Sequence, residues 1–169
     1  MKRALAVLTA LLVLSAGCTR REAAHPAKPE EASRRDPPAG PVVGTLGRYG
    51  SHAWLGIPYA MAPTGLLRWR APRPARRRSE ERAAIALGPP CPQFTSPLAG
   101  IEGEPGAIVG EEDCLFLNVY APRFSPEEIP QGAALLPVMV WIHGGGNVVG
   151  HGGVYHGCHP APTQDDVRG

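Results

Sequence analysis

A run of three glycines stands directly after the most apolar stretch of this chain, in the sequence VMVWIHGGGNVVG from Val138 to Gly150. A surface turn needs one or two glycines to reach positive φ, whereas glycines just past a buried strand also mark places where backbone approaches another group closely. The three glycines, residues 144–146, therefore predict a stretch of backbone that comes close to another group.

The same region holds side chains that could bind a metal. Histidine and cysteine are ligands for zinc and copper in an oxidising compartment, and five such residues occur here: His143, His151, His156, Cys158 and His159. Their spacing matches no zinc motif, and the glycines need no metal to explain them. We predict no metal site and no cofactor, and keep a metal-binding, His/Cys-rich exported protein as an alternative function.

Short strands are predicted to position these residues. VVGTLGRY and SHAWLGIPYA form a hairpin around Gly50, and a strand runs from Cys114 to Tyr120 before Pro122. The near-continuous apolar run Val138–Ile142 is typical of a strand buried on both faces, as in the centre of an α/β sheet.

Composition allows one globular domain at most. The chain has 169 residues, 43% hydrophobic and 19% charged, with 20 prolines and 21 glycines that favour loops and short strands. The formal net charge of +2 is too small to indicate nucleic acid. The arginine-rich stretch RPARRRSEERAA, residues 73–84, is interrupted by glutamates and lacks aromatic residues, so we predict a solvated surface loop.

The N-terminus has the layout of a secretory signal peptide, predicted over residues 1–17. Two basic residues precede an apolar run, and small residues lead to Cys18. The sequence LSAGC resembles a bacterial lipobox, although its leucine lies one place further from the cysteine than usual. We expect an exported lipoprotein, anchored to a membrane through lipid on Cys18 in the periplasm or at the cell surface, or otherwise a secreted protein.

Residues 18–41 are charged and rich in proline and alanine, with no apolar period. This composition predicts a flexible stalk, and the folded part is expected to occupy residues 42–169.

With Cys18 set aside, three cysteines remain: Cys91, Cys114 and Cys158. A bond between the first two would close a Gly/Pro-rich segment that has little core of its own. Spacing alone does not decide among the three possible pairings.

Four segments resemble, in order and approximate spacing, the N-terminal third of the type-B carboxylesterase family. They are AWLGIPYAMAPTGLLRWRAP, GPPCPQ, GEEDCLFLNVYAP and LPVMVWIHGGGNVVG, within about Val42–Tyr155. The resemblance implies an α/β-hydrolase fold, of which residues 42–169 are a truncated N-terminal part: a small β-hairpin and the first strands of the central sheet. It also implies hydrolysis of small-molecule carboxylic esters by a serine, acid and histidine triad.

The family supplies expected roles for the glycine run. The resemblance implies that the backbone N–H groups of Gly145 and Gly146 contribute to an oxyanion hole, which stabilises the negative charge that develops on an ester carbonyl. His143, Gly144 and Asn147 are expected to support this loop. His143 is not expected to be the general base, because the catalytic histidine comes last in the family's chain order.

Two structural contacts are also implied by the resemblance. One is a disulfide between Cys91 and Cys114, and the other is an ion pair between Arg68 and Glu112.

The chain departs from the family pattern in what it lacks. None of its six serines lies in a GxSxG motif, and the tail CHPAPTQDDVRG replaces the expected helix and apolar strand. We predict a fragment that is inactive alone, with a non-catalytic esterase-like binding protein as a further alternative. Its strand Val138–Ile142 would keep an uncovered apolar face, so we expect the isolated chain to be poorly soluble or molten.

Overall fold

The computed structural model describes residues 27–155 and 157. The predicted signal peptide, Cys18, His156, Cys158 and His159 lie outside these residues. The described strands are β1 (Val42–Val43), β2 (Thr45–Leu46), β3 (Ser51–Pro58), β4 (Arg82–Ala83), β5 (Gln93–Phe94), β6 (Ile108–Val109) and β7 (Phe116–Pro122). Short 3₁₀ turns occupy Glu31–Ser33, Arg48–Gly50, Gly65–Leu67, Pro97–Ala99, Pro126–Glu128, Gly132–Ala134 and Gly152–Val154. Within the described ranges, no helix has the length and apolar character needed to cross a membrane.

The main sheet has three antiparallel strands in the order β2, β3, β7. The β2–β3 pair is the predicted hairpin around Gly50, which the structure therefore confirms. β7 begins two residues later than predicted and includes Pro122, which pairs with Ser51 at the end of the sheet. Proline is tolerated there because it is the last residue of the strand and no further ladder bond is required of it.

Two small ladders flank this sheet. β1 pairs with β4 in parallel, and β5 pairs with β6 antiparallel. β4 lies inside the arginine-rich stretch predicted as a surface loop, and Ala84 directly after it is fully buried. That stretch is thus partly a strand, because its backbone completes the ladder of β1. Arg73, Arg76 and Arg77 are exposed as predicted, whereas Arg78 and Arg82 are half-buried.

The core is small and gathers around one aromatic side chain. Val42, Trp54 and Ala84 are buried together, and Ile57 and Ala121 pack against them. The core therefore joins β1, β3 and the end of β4, with β7 covering one side.

The prediction of a flexible stalk through residue 41 is wrong for residues 30–41. Ser33 is completely buried, its backbone oxygen accepts the Trp54 indole N–H at 2.8 Å, and its Oγ accepts the Gly44 N–H at 2.7 Å. Arg35 forms a β-bridge with Val42. These contacts order a polar segment because its backbone and hydroxyl groups, rather than apolar side chains, supply the binding to the domain.

The prediction of a buried strand at Val138–Ile142 is also wrong for this structure. The segment has no strand pairing, and the exposed fractions along it are 87%, 74%, 78%, 65% and 85%. A strand forms only when neighbouring strands accept its backbone hydrogen bonds, and no described strand lies beside this one. The apolar face expected to be uncovered is therefore exposed together with its backbone.

Candidate functional site

The loop from His143 to Gly150 turns tightly on itself. The carbonyl oxygen of Gly145 accepts the N–H groups of Val148 and Val149, each at 3.1 Å. Gly145, Gly146, Asn147 and Gly150 all have positive φ, at 132°, 63°, 60° and 120°. We refer to residues 143–150 as the glycine loop, because this sequence of left-handed residues forms it.

The space around the two candidate oxyanion residues differs. A Cβ on Gly145 would overlap the carbonyl oxygen of Val149, and its φ is one that side chains rarely adopt. A Cβ on Gly146 would meet nothing within 4 Å. Packing within the described residues thus requires glycine at 145, whereas at 146 it leaves open space in front of the backbone.

The amides of these glycines are free donors in the described part of the chain. No backbone or side-chain acceptor there receives the N–H of Gly145 or Gly146. Both residues are exposed.

The supporting residues lie where the loop starts and turns. The Nδ1 atom of His143 is 2.9 Å from the carbonyl oxygen of Gly144, and its ring is exposed. Asn147 occupies the left-handed region, where asparagine is more readily accommodated than most side chains. Both positions are compatible with the expected supporting role, which stays a prediction.

A disulfide and an ion pair lie in the segment that packs beside this loop. Cys91 and Cys114 form a disulfide with their Cα atoms 5.0 Å apart. The guanidinium group of Arg68 pairs with the carboxylate of Glu112, two residues before Cys114, and both side chains are substantially exposed. The bond and the pair hold the start of β7 against the loops that precede it.

Sequence reasoning missed Gln93, whose buried side chain contacts Gly150 at the end of the glycine loop. The available signal was a glutamine on a short strand two residues after a cysteine, because a buried amide requires hydrogen-bond partners. That signal does not indicate which group the amide contacts, and here the contacted residue lies 57 positions further along the chain.

The metal alternative has little support among the described residues. They contain no group of three or more histidine, cysteine or acidic side chains placed to hold a metal ion. Of the five candidate ligands, only His143 and His151 are described, and the Nδ1 of His151 accepts the Gly153 N–H at 3.2 Å.

A family model described as "Carboxylesterase family" matches residues 36–164. The chain belongs to the carboxylesterase family. This carboxylesterase-family chain is 38% identical over 122 residues to cocaine esterase of Oryctolagus cuniculus, covering 70% of the chain and 22% of that protein. It is 41% identical over 113 residues to para-nitrobenzyl esterase of Bacillus subtilis, covering 67% of the chain and 21% of that protein. A solved structure of PNB esterase matches 78% of the chain and 25% of its own length, with a TM-score of 0.63 at 38% identity.

These similarities fix the architecture. The carboxylesterase relatives are α/β-hydrolases, and the described strands form the N-terminal part of that fold. The chain spans only about a quarter of the length of these relatives. The described residues include the glycine loop, and no GxSxG motif occurs in the 169 residues.

Proposed function

We propose that this chain supplies the oxyanion-binding half of a carboxylic ester hydrolase, and that its substrates are small-molecule carboxylic esters. The observation that carries the proposal is the pair of N–H groups on the exposed residues Gly145 and Gly146, which have no acceptor among the described residues. Membership of the carboxylesterase family supports ester chemistry at that loop.

The physical reason is electrostatic. Nucleophilic attack places negative charge on the carbonyl oxygen of the ester, and fixed backbone donors stabilise that charge as it develops. One such donor typically lowers the barrier by about 2.7 to 4 kcal/mol. The open space before Gly146 allows the oxygen to approach without meeting a side chain.

The glycine loop cannot complete the reaction by itself. Acyl transfer needs a nucleophile activated by a base, and no serine of this chain occupies a GxSxG turn. We propose that a polypeptide of only these 169 residues does not hydrolyse esters, and that a complete α/β-hydrolase sheet must present the missing groups.

A chimera tests the oxyanion role. Residues 36–155 replace the matching segment of the Bacillus subtilis para-nitrobenzyl esterase, which keeps its own nucleophile, acid and histidine. We expect hydrolysis of a para-nitrobenzyl ester, and a fall in kcat of about 100-fold on Gly146→Ala, since the new Cβ enters the space facing the oxyanion. The 169-residue chain alone should show no hydrolysis above buffer.

Gly132→Ala is the matched control. Gly132 has φ of 57°, close to that of Gly146, and a Cβ there also meets nothing within 4 Å. The backbone strain added is therefore the same, and kcat should remain within about twofold. Full activity of a folded Gly146→Ala chimera would show that the glycine loop does not serve the reaction.

A further inference from the structure

The side chain of Gln93 joins the disulfide-bonded segment to the end of the glycine loop. Its Oε1 accepts the Gly150 N–H at 2.6 Å, and its Nε2 donates to the Gly150 carbonyl oxygen at 3.1 Å. The same Nε2 is 3.0 Å from the carbonyl oxygen of Cys91. Only 9% of Gln93 is exposed, so these hydrogen bonds form largely away from water.

Gly150 is also the point where the two ends of the glycine loop meet. Its φ of 120° requires glycine, and a Cβ there would lie 2.7 Å from the Gly144 oxygen and 3.0 Å from His143 Nδ1. The backbone of Gly150 therefore packs directly against the first residues of the loop. Because the two backbones are in close contact, a shift of Gly150 is expected to displace Gly144 and the residue that follows it.

A primary amide is suited to this contact because it donates and accepts at once. It exchanges both backbone hydrogen bonds with Gly150, as a residue on a neighbouring antiparallel strand would. An ionised carboxylate could accept the Gly150 N–H but would face the Gly150 carbonyl oxygen without a proton to donate.

We propose that Gln93 is a positioning residue that holds the glycine loop in the orientation its N–H groups need. The inference rests on the proposed oxyanion role of Gly145 and Gly146. Gln93 itself reaches the loop only at Gly150, and it acts through the backbone rather than on substrate. Small displacements of preorganised donors weaken transition-state stabilisation, so an anchor of this kind affects kcat more than KM.

Hydrogen exchange of the 169-residue chain, followed by mass spectrometry, tests the anchor. The Val148 and Val149 amides, whose acceptor is the Gly145 oxygen, report the loop, whereas the Gly150 amide reports its own bond to Gln93. Gln93→Ala should accelerate their exchange about tenfold, while peptides from β3 and β7 stay within twofold of wild type. Equal acceleration in β3 and β7 would reveal general destabilisation and overturn the proposal, as would unchanged loop exchange.

Gln93→Glu separates the hydrogen-bond pattern from simple packing. At pH 7.5 the ionised side chain cannot donate, and loop exchange should match Gln93→Ala. Near pH 4, below the ordinary carboxyl pKa of about 4.3, the protonated acid can both donate and accept, so protection should return. Each variant is compared with wild type at the same pH. Gln131→Glu adds the same charge at an exposed glutamine and should leave the loop unchanged at both values.

The chimera distinguishes a failed anchor from a failed oxyanion role. Gln93→Ala in the chimera should lower kcat at least about tenfold with KM nearly constant. Recovery of kcat by Gln93→Glu as the pH is lowered, relative to the unsubstituted chimera, would support positioning. Wild-type loop exchange in Gln93→Ala would overturn the anchor itself. Faster loop exchange with unchanged kcat would instead overturn the oxyanion role of the loop, and with it the catalytic part of this inference.

Discussion

His52 is the most unusual single residue of the described core. It is fully buried in β3, and neither ring nitrogen has a hydrogen-bond partner among the described residues. Its ring lies edge-on to Trp54, with centroids 5.7 Å apart. Burial lowers the pKa of His52, the positive charges of Arg35 and Arg123 lower it further, and the carboxylate of Glu30 opposes them.

The lowered pKa predicts a pH-dependent stability. The unfolded chain binds a proton at His52 near the ordinary pKa of about 6.5, whereas the folded chain keeps the ring neutral. Stability from the neutral ring is thus complete above that pH and falls as the pH drops below it, by at most about 1.4 kcal/mol per pH unit. His52→Leu should flatten this loss and leave stability at pH 7.5 equal or higher, because it removes unpaired polar atoms.

Urea unfolding at pH 7.5 and 5.5, followed by tryptophan fluorescence, measures this effect. Trp54 is buried, whereas Trp69 and Trp141 are 100% and 65% exposed, so the change in signal on unfolding arises mainly from Trp54, which the His52 ring contacts. His143→Leu removes an exposed histidine and should keep the wild-type dependence. If His52→Leu loses as much free energy of unfolding between pH 7.5 and 5.5 as wild type does, another group causes the loss.

Two links of different kind hold the segment around β5, β6 and the start of β7. The disulfide between Cys91 and Cys114 closes a loop of 23 residues. The ion pair between Arg68 and Glu112 lies nearby, with side chains 57% and 41% exposed. A disulfide stabilises the fold by reducing the conformational entropy of the unfolded chain. The attraction in an exposed ion pair is instead weakened by solvent and salt.

We therefore predict unequal costs for breaking the two links. The double variant Cys91→Ala/Cys114→Ala should lower the free energy of unfolding by about 3 kcal/mol. Arg68→Gln should lower it by less than about 1 kcal/mol. The urea midpoint together with the slope of the transition gives both values. High salt should narrow the difference between wild type and Arg68→Gln, because it screens the pair that the variant lacks. Equal losses in the two variants would contradict this ranking.

At the scale of the whole molecule, we expect the exposed apolar segment Val138–Ile142 to dominate behaviour in solution. Consecutive exposed apolar residues with unpaired backbone favour association between chains. The segment contrasts with the buried core, which is confined to a few residues around Trp54. The chain should therefore self-associate and bind hydrophobic dyes such as ANS even while its small sheet is folded.

A double substitution tests the contribution of this segment. Val138→Glu/Val140→Glu should slow aggregation, measured by light scattering, by about tenfold and reduce ANS binding, because charges interrupt the apolar run. Leu66→Glu/Leu98→Glu adds the same charge at two residues that are 96% and 102% exposed and lie outside the segment. If this control slows aggregation equally, net charge rather than the segment is responsible.

The resemblance of four segments gave the family. The local residue pattern predicted the β2–β3 hairpin and the turn of the glycine loop, whose role as the site stays a prediction. These features depend on local requirements: alternating or continuous apolar residues, turn residues, and glycines that reach positive φ. The spacing of the cysteines left three pairings open, the family resemblance implied Cys91 with Cys114, and the structure contains that disulfide.

Only the tertiary structure decided which segments find partners. It ordered residues 30–41 through Ser33 against Trp54, left Val138–Ile142 without a neighbouring strand, and joined Gln93 to Gly150. Each of these outcomes depends on hydrogen-bonding groups that lie far apart in the chain. Local residue preferences do not specify such contacts, because a donor or acceptor is satisfied only by the group that the fold brings beside it.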